Sequence, residues 1–227
     1  MPAYNEEHSI RRVINEYLAI DVVDELVVVD NNARGRTPEE IDKTDAIHVV
    51  ETKQGYGHAL MRGLKEASGD LILMTEGDGA FRAEDIHKFL LYSDDFDVVL
   101  GTRTSRATIW TGAFMPFSVR LGNWAVAKFL EFLYDAPTLT DVGCTYKLLS
   151  KKVRDSIEDL FKYSPGGADF SPELIIWIVR RRIKTVEIPV ILLPRVGRSH
   201  YTGTVLRAAM LGFKMLWLIT KYRFRKI

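Results

Sequence analysis

Four short runs of β-branched and aliphatic residues, each closing on an acid or a glycine, limit what this chain can fold into: ELVVVD (25–30), AIHVVE (46–51), LILMTE (71–76) and DVVLG (97–101). Apolar runs this short match buried strands. Between them, GHALMRGLKEA (57–67) and AEDIHKFLLY (83–92) space apolar residues three and four apart, as helices with one buried face do. Strand and helix in alternation predict an α/β fold with a mostly parallel sheet flanked by helices. Further helices are expected over 115–134, 150–161, 171–182 and 203–223, and a strand at EIPV (187–190). The opening MPAYNEE (1–7) reads as the loop after a strand, leading into a helix, yet no strand precedes it. Because the first strand of such a sheet is usually central, the expectation is a missing first strand and a truncated start.

LILMTE stops abruptly at Glu76, Gly77, Asp78 and Gly79. Two carboxylates one residue apart repel each other unless a cation lies between them. Mg²⁺ or Mn²⁺ bridging phosphates is held by one or two carboxylates, and open α/β sheets bind ligands at the carboxyl ends of their strands. Asp30 also ends a strand. A solvated acid capping a turn with Asn31 and Asn32 explains it equally well.

Composition narrows the partners. Lys plus Arg number 31 and Asp plus Glu 30, so bulk charge makes no case for a nucleic-acid binder. The single cysteine, Cys144, excludes an internal disulfide framework and a zinc cluster, and the five histidines show no metal-ligand spacing. No signal peptide is visible in the sequence, nor an uninterrupted apolar run long enough to span a bilayer.

PAYNEE, VVVDNN, QGYGHALMRGLKEASGD and the EGD acid pair, in this order, resemble family 2 glycosyltransferases of the GT-A fold, a Rossmann-like fold for nucleotide-diphospho-sugar transferases. Within these the chain is similar to dolichol-phosphate mannose synthase and related polyprenyl-phosphate glycosyltransferases. The resemblance implies a GDP- or UDP-hexose donor, a Mg²⁺ or Mn²⁺ ion and a polyprenyl phosphate acceptor. It implies that Pro2, Ala3, Tyr4, Asn5 and Glu6 line the nucleotide pocket, that Asp30 lies near the base or ribose, and that Glu76, Gly77 and Asp78 form the metal motif. Relatives usually carry Asp where Glu76 stands. Gly55 and Gly57 would permit close backbone approach to the nucleotide sugar, with Arg62 reaching a phosphate; a solvated helix charge is the equal alternative for Arg62. Gly55-x-Gly57 also outlines a dinucleotide fingerprint, but Leu60 occupies the place of its third glycine.

The acceptor side is expected from later segments. Arg103, after the fourth run, resembles the family's arginine beside the acceptor phosphate, and Asp141 in DVGCTYK (141–147) its sugar-contacting acid; a turn-forming role explains Asp141 as well. In FSPE (170–173), Ser171 and Pro172 read as a helix start and Glu173 as a first-turn carboxylate. PRVGRSHYTG (194–203) sets Arg195, Arg198 and Ser199 in a loop resembling one that faces a lipid phosphate; a solvated basic loop is the alternative. Residues 1–203 are read as the catalytic domain and 204–227 as an amphipathic helix lying on the cytosolic face of a membrane, since Arg207, Lys214 and Lys221 recur every seven residues among apolar ones. A core helix with a basic stripe is the other reading. Segment 115–134 is a second interfacial candidate, and from it Arg120 would meet the acceptor phosphate. Three alternatives stand beside the polyprenyl-phosphate reading: a polysaccharide or protein acceptor, an NAD-binding Rossmann enzyme, and a non-catalytic accessory protein.

Overall fold

The structure, a computed structural model, describes residues 1–167, 169–197 and 205–224. In chain order, β1 (Pro2–Ala3), α1 (Ile10–Leu18), β2 (Val27–Asp30), α2 (Thr37–Ile41), β3 (Ile47–Val50), α3 (Tyr56–Glu66) and β4 (Leu71–Met74) make the first half. Then come α4 (Ile86–Ser93), β5 (Val98–Thr102), α5 (Phe117–Tyr134), β6 (Lys147–Ser150), α6 (Lys151–Ser156), α7 (Glu158–Tyr163), α8 (Phe170–Arg180), β7 (Thr185–Pro189) and α9 (Val205–Phe224).

The strands are ordered β1-β2-β3 and β4-β6-β5-β7. Every pair is parallel except those of β6, which runs antiparallel between β4 and β5. The position expected to lack its strand carries a two-residue one: Pro2 and Ala3 register against Val29 and Asp30. An apolar cleft walled by Leu26, Val27, Leu71 and Met74 lies between β2 and β4. Among the described residues β4 pairs only with β6.

Like the short helix α2, strand β6 is an element the sequence reading missed. Its first residue, Lys147, disguises a buried strand, yet it is fully buried and its ammonium donates to Cys144 O and to Ser171 Oγ. Desolvation lowers its pKa to about 8.

Two apolar clusters flank the strands. Ile10, Val13, Ile14 and Tyr17, one stripe of α1, pack with Phe89 and Tyr146 on one side. On the other, Leu60, Leu64, Leu130, Trp177 and Ile178 meet Met215, Leu218, Ile219 and Tyr222. Helix α9 therefore contributes one face to the main core. It also bears a second stripe, Leu206, Met210, Phe213, Trp217 and Phe224, that is exposed. Of the basic residues seven apart, Lys214 pairs with Asp169 at 2.7 Å, and the Lys221 ammonium sits over the Trp217 ring. The side chain of Arg207 lies outside the described residues.

Candidate active site

The carboxyl ends of β1, β2, β4 and β5 open onto one rim, which is where the sequence acids fall. Asp78 follows β4 and is 1% exposed. Its Oδ1 accepts from Ala80 N–H at 2.8 Å, and its Oδ2 pairs with the Arg195 guanidinium. Burial and the neighbouring charge of Glu76 push its carboxyl up to about 7, against the pull of Arg195. Glu6, on the loop after β1, is also pushed up to about 7, chiefly by burial and in part by Glu76.

Glu76 behaves differently. Burial pushes its carboxyl upward, but hydrogen bonds from Thr145 and Tyr56 and the charges of Arg195 and Arg103 outweigh this, and the net shift is downward. Oε1 accepts from Tyr56 Oη at 2.8 Å and from Thr145 Oγ1 at 2.7 Å, and the two hydroxyl oxygens lie side by side. Tyr56 and Thr145 were not singled out from sequence; hydroxyls inside GYGH and CTYK carry no spacing signal. The longer arm of Glu76 is thereby fixed at one oxygen.

Among the described residues no group of three or more His, Cys, Asp or Glu side chains is placed to hold a metal. The donor set still fits a divalent cation: hard carboxylate oxygens, one or two of them, in a site whose buried acids crowd one another. Asp78 and Glu76 are the residues that would hold it.

Other predicted residues find different uses. Gly55 and Gly57 meet protein: an added Cβ would lie 2.5 Å from Gly166 O at Gly55 and 2.8 Å from Gly167 O at Gly57, while His58 N–H donates to Gly166 O. The turn that outlined a dinucleotide fingerprint is thus packed against the 164–167 segment. Beside it, Glu173 accepts from Ser164 Oγ and, at 3.0 Å, from Tyr222 Oη, and Ser164 Oγ accepts from Gly166 N–H. The first-turn carboxylate of α8 is therefore a buried hub. Gly77 packs on Ile10 of α1. Arg62 pairs with Glu66 at 2.8 Å on the surface of α3, the solvated-charge alternative.

Arg103 and Asp141 come together. The guanidinium donates through Nε at 2.8 Å and Nη2 at 3.0 Å, and Asn123, Gly143 N–H and Arg103 N–H also donate to the same carboxylate. This saturates Asp141 with protein donors, so it anchors Arg103 rather than offering a free oxygen to a sugar. Burial works against the Arg103 charge, but Asp141 more than offsets it and the pKa moves up. Glu187, on β7, accepts from the Thr140 and Asp141 amides and braces the same loop. Arg120, on α5, donates through Nε to Thr104 O at 3.0 Å, beside this cluster. Arg198 and Ser199 lie outside the described residues.

At the opposite end of the rim, Asp30 accepts from Ala33 N–H at 2.7 Å in a local turn, and Asn5 Oδ1 accepts from Arg34 N–H at 2.7 Å. Asn31, read only as a turn residue, is 3% exposed and donates to Glu51 O and Lys53 O while accepting from Gly55 N–H. It fastens the β2 end to the start of α3.

A family model described as Glycosyl transferase family 2 matches residues 1–157. The chain belongs to glycosyl transferase family 2. A dolichyl-phosphate hexose transferase of Haloferax volcanii is 30% identical over 201 residues, covering 88% of this chain and 83% of the relative. The low-salt glycan biosynthesis hexosyltransferase Agl6 of the same organism is 28% identical over 88% of this chain, which spans 48% of that longer protein. Glucosyl-3-phosphoglycerate synthase from Mycobacterium tuberculosis, solved with Mn²⁺, uridine diphosphate and phosphoglyceric acid, superposes with a TM-score of 0.72 at 18% identity over 100% of this chain and 78% of that one. The family 2 chain therefore has the GT-A fold that its sequence blocks resemble.

Proposed function

We propose that this family 2 glycosyltransferase is metal-dependent and inverting, and that it moves a hexose from a GDP- or UDP-sugar to a polyprenyl phosphate of the dolichyl type. One observation carries the reading: the buried, crowded carboxylates of Asp78, Glu76 and Glu6 share their site with the guanidiniums of Arg195 and Arg103. Acids that need a cation beside arginines that need anions suit a diphosphate with its metal and a second phosphate. Bound by Asp78 and Glu76, Mg²⁺ or Mn²⁺ supplies charge neutralisation to the leaving diphosphate. Residues Pro2 to Glu6 and Asp30 border the nucleotide end of the rim; Arg103, Arg120 and Arg195, with Arg198 and Ser199 from the loop, serve the acceptor phosphate. An acceptor phosphate is already anionic and attacks without a protein base. This agrees with Cys144, whose thiol is buried and pushed up to about 12 by desolvation.

The Haloferax relative named for dolichyl phosphate supports the acceptor class. So do the exposed stripes on α5 (Phe117, Leu121, Trp124, Phe132) and α9, which suit a peripheral position on the cytosolic face of a membrane. No helix among the described residues is long and apolar enough to cross a membrane.

A thermal-shift panel of UDP- and GDP-sugars with and without Mn²⁺, followed by turnover on a short polyprenyl phosphate, tests the reading. Asp78→Ala is expected to abolish transfer and leave the unfolding midpoint within a few degrees of wild type. Near-normal turnover by that variant, or transfer only to water-soluble hydroxyl acceptors, overturns it.

A further inference from the structure

The segment after β7 is zipped onto the acidic turn. Leu193 N–H donates to Ala80 O at 2.8 Å, Val196 N–H donates to Asp78 O at 2.9 Å, and Leu192 bridges Phe81 in antiparallel fashion. Between these bonds stands Arg195, which this pairing sets against the Asp78 side chain. Since Ala80 N–H occupies Oδ1, the Arg195 guanidinium takes the remaining oxygen, Oδ2. The carboxylate is 2% exposed, whereas the arginine side chain keeps 30% of its surface.

A divalent cation and a guanidinium cannot share one carboxylate oxygen without strong mutual repulsion. Nor can Arg195 simply leave, because Asp78, Glu6 and Glu76 would then crowd one buried site uncompensated. The guanidinium sits on a flexible stem, so it can move while the backbone bonds of Leu193 and Val196 hold.

We propose that Arg195 is an exchangeable counter-ion of Asp78, which yields Oδ2 to the incoming divalent cation and re-pairs with a phosphate oxygen of the bound ligands. Arg195 is then a positioning residue whose two partners belong to two states of the site. The identity of the phosphate rests on the glycosyltransferase reading, but the competition for Asp78 does not.

The test measures two affinities on Arg195→Gln and Arg195→Lys, with Asp78→Asn as the control. Mn²⁺ binding to the protein alone is followed by the electron paramagnetic resonance of free Mn²⁺. Arg195→Gln is expected to bind Mn²⁺ about tenfold more tightly than wild type, the effect of one charge-assisted contact removed from competition, and Arg195→Lys to fall between them. With Mn²⁺ saturating, the same variant is expected to bind UDP, GDP or geranyl phosphate about tenfold more weakly, and the ligand that loses affinity identifies the phosphate. Opposite signs on the two measurements cannot arise from a loosened loop. Mn²⁺ affinity unchanged or weakened in Arg195→Gln, or retained in Asp78→Asn, overturns the exchange; so does tighter Mn²⁺ binding with no loss for any of the three phosphates. Failure of every nucleotide to bind wild type while Arg195→Gln tightens Mn²⁺ and weakens geranyl phosphate upholds the exchange and removes the donor half of the glycosyltransferase reading.

Discussion

Glu76 and Asp78 sit two residues apart and are handled in opposite ways. Hydroxyls from Tyr56 and Thr145 fix Glu76, and the net effect keeps it ionised; burial and Glu76 itself push Asp78 toward protonation. Each hydroxyl donates to a charged acceptor, so Tyr56→Phe and Thr145→Val should each lower kcat/KM about tenfold, with circular dichroism showing the fold intact. Asp78 also predicts a pH dependence. Its folded pKa lies above the ordinary value of 3.8, so the folded chain binds this proton more tightly than the unfolded chain does. Its contribution to stability is complete below about pH 4 and is lost as pH rises through about 7. The unfolding midpoint without added cation should fall across that window, and it should fall less in Asp78→Asn or with Mn²⁺ present. The acid pair was legible in sequence because carboxylates ending an apolar run have few structural reasons to be there. Tyr56, Thr145 and Asn31 were not, because hydroxyl and amide groups acquire their partners only when distant segments meet.

Helix α9 shows what periodicity reveals and what it hides. Its apolar residues form two stripes, and sequence alone does not say which one meets the protein. Met215, Leu218, Ile219 and Tyr222 point inward and the Phe213 stripe outward, because α5 and α8 supply the apolar surface that the inward stripe needs. Ile219→Ala, at a fully buried position, should destabilise the fold by about 2–5 kcal/mol in chemical denaturation. Phe213→Ser, 73% exposed, should leave that measurement nearly unchanged. Strand β6 escaped the sequence reading for a related reason: a lysine is rarely buried, and of the partners that permit it here, Cys144 O and Ser171 Oγ, the second lies on a distant helix, α8.

For the molecule as a whole, the β/α alternation and the acids at its strand ends were visible in the sequence, since both follow from local pattern. The division of the strands into two ordered sets was not, because it depends on a β1 only two residues long. Eleven of the seventeen exposed large hydrophobics among the described residues fall in 110–132 and 206–224, a concentration far beyond the scattered apolar surface of an ordinary domain. Replacing Phe213 and Trp217 together with Ser should reduce sedimentation with anionic vesicles severalfold while transfer to a short, detergent-dispersed acceptor is kept. The buried Glu173 gives this surface an inward connection: Tyr222 of α9 grips one oxygen, Ser164 the other, and the 164–167 segment is locked to the start of α3, which carries Tyr56. The outer helix and the start of α3 are thus tied to one buried carboxylate, so loss of Glu173 would loosen both at once.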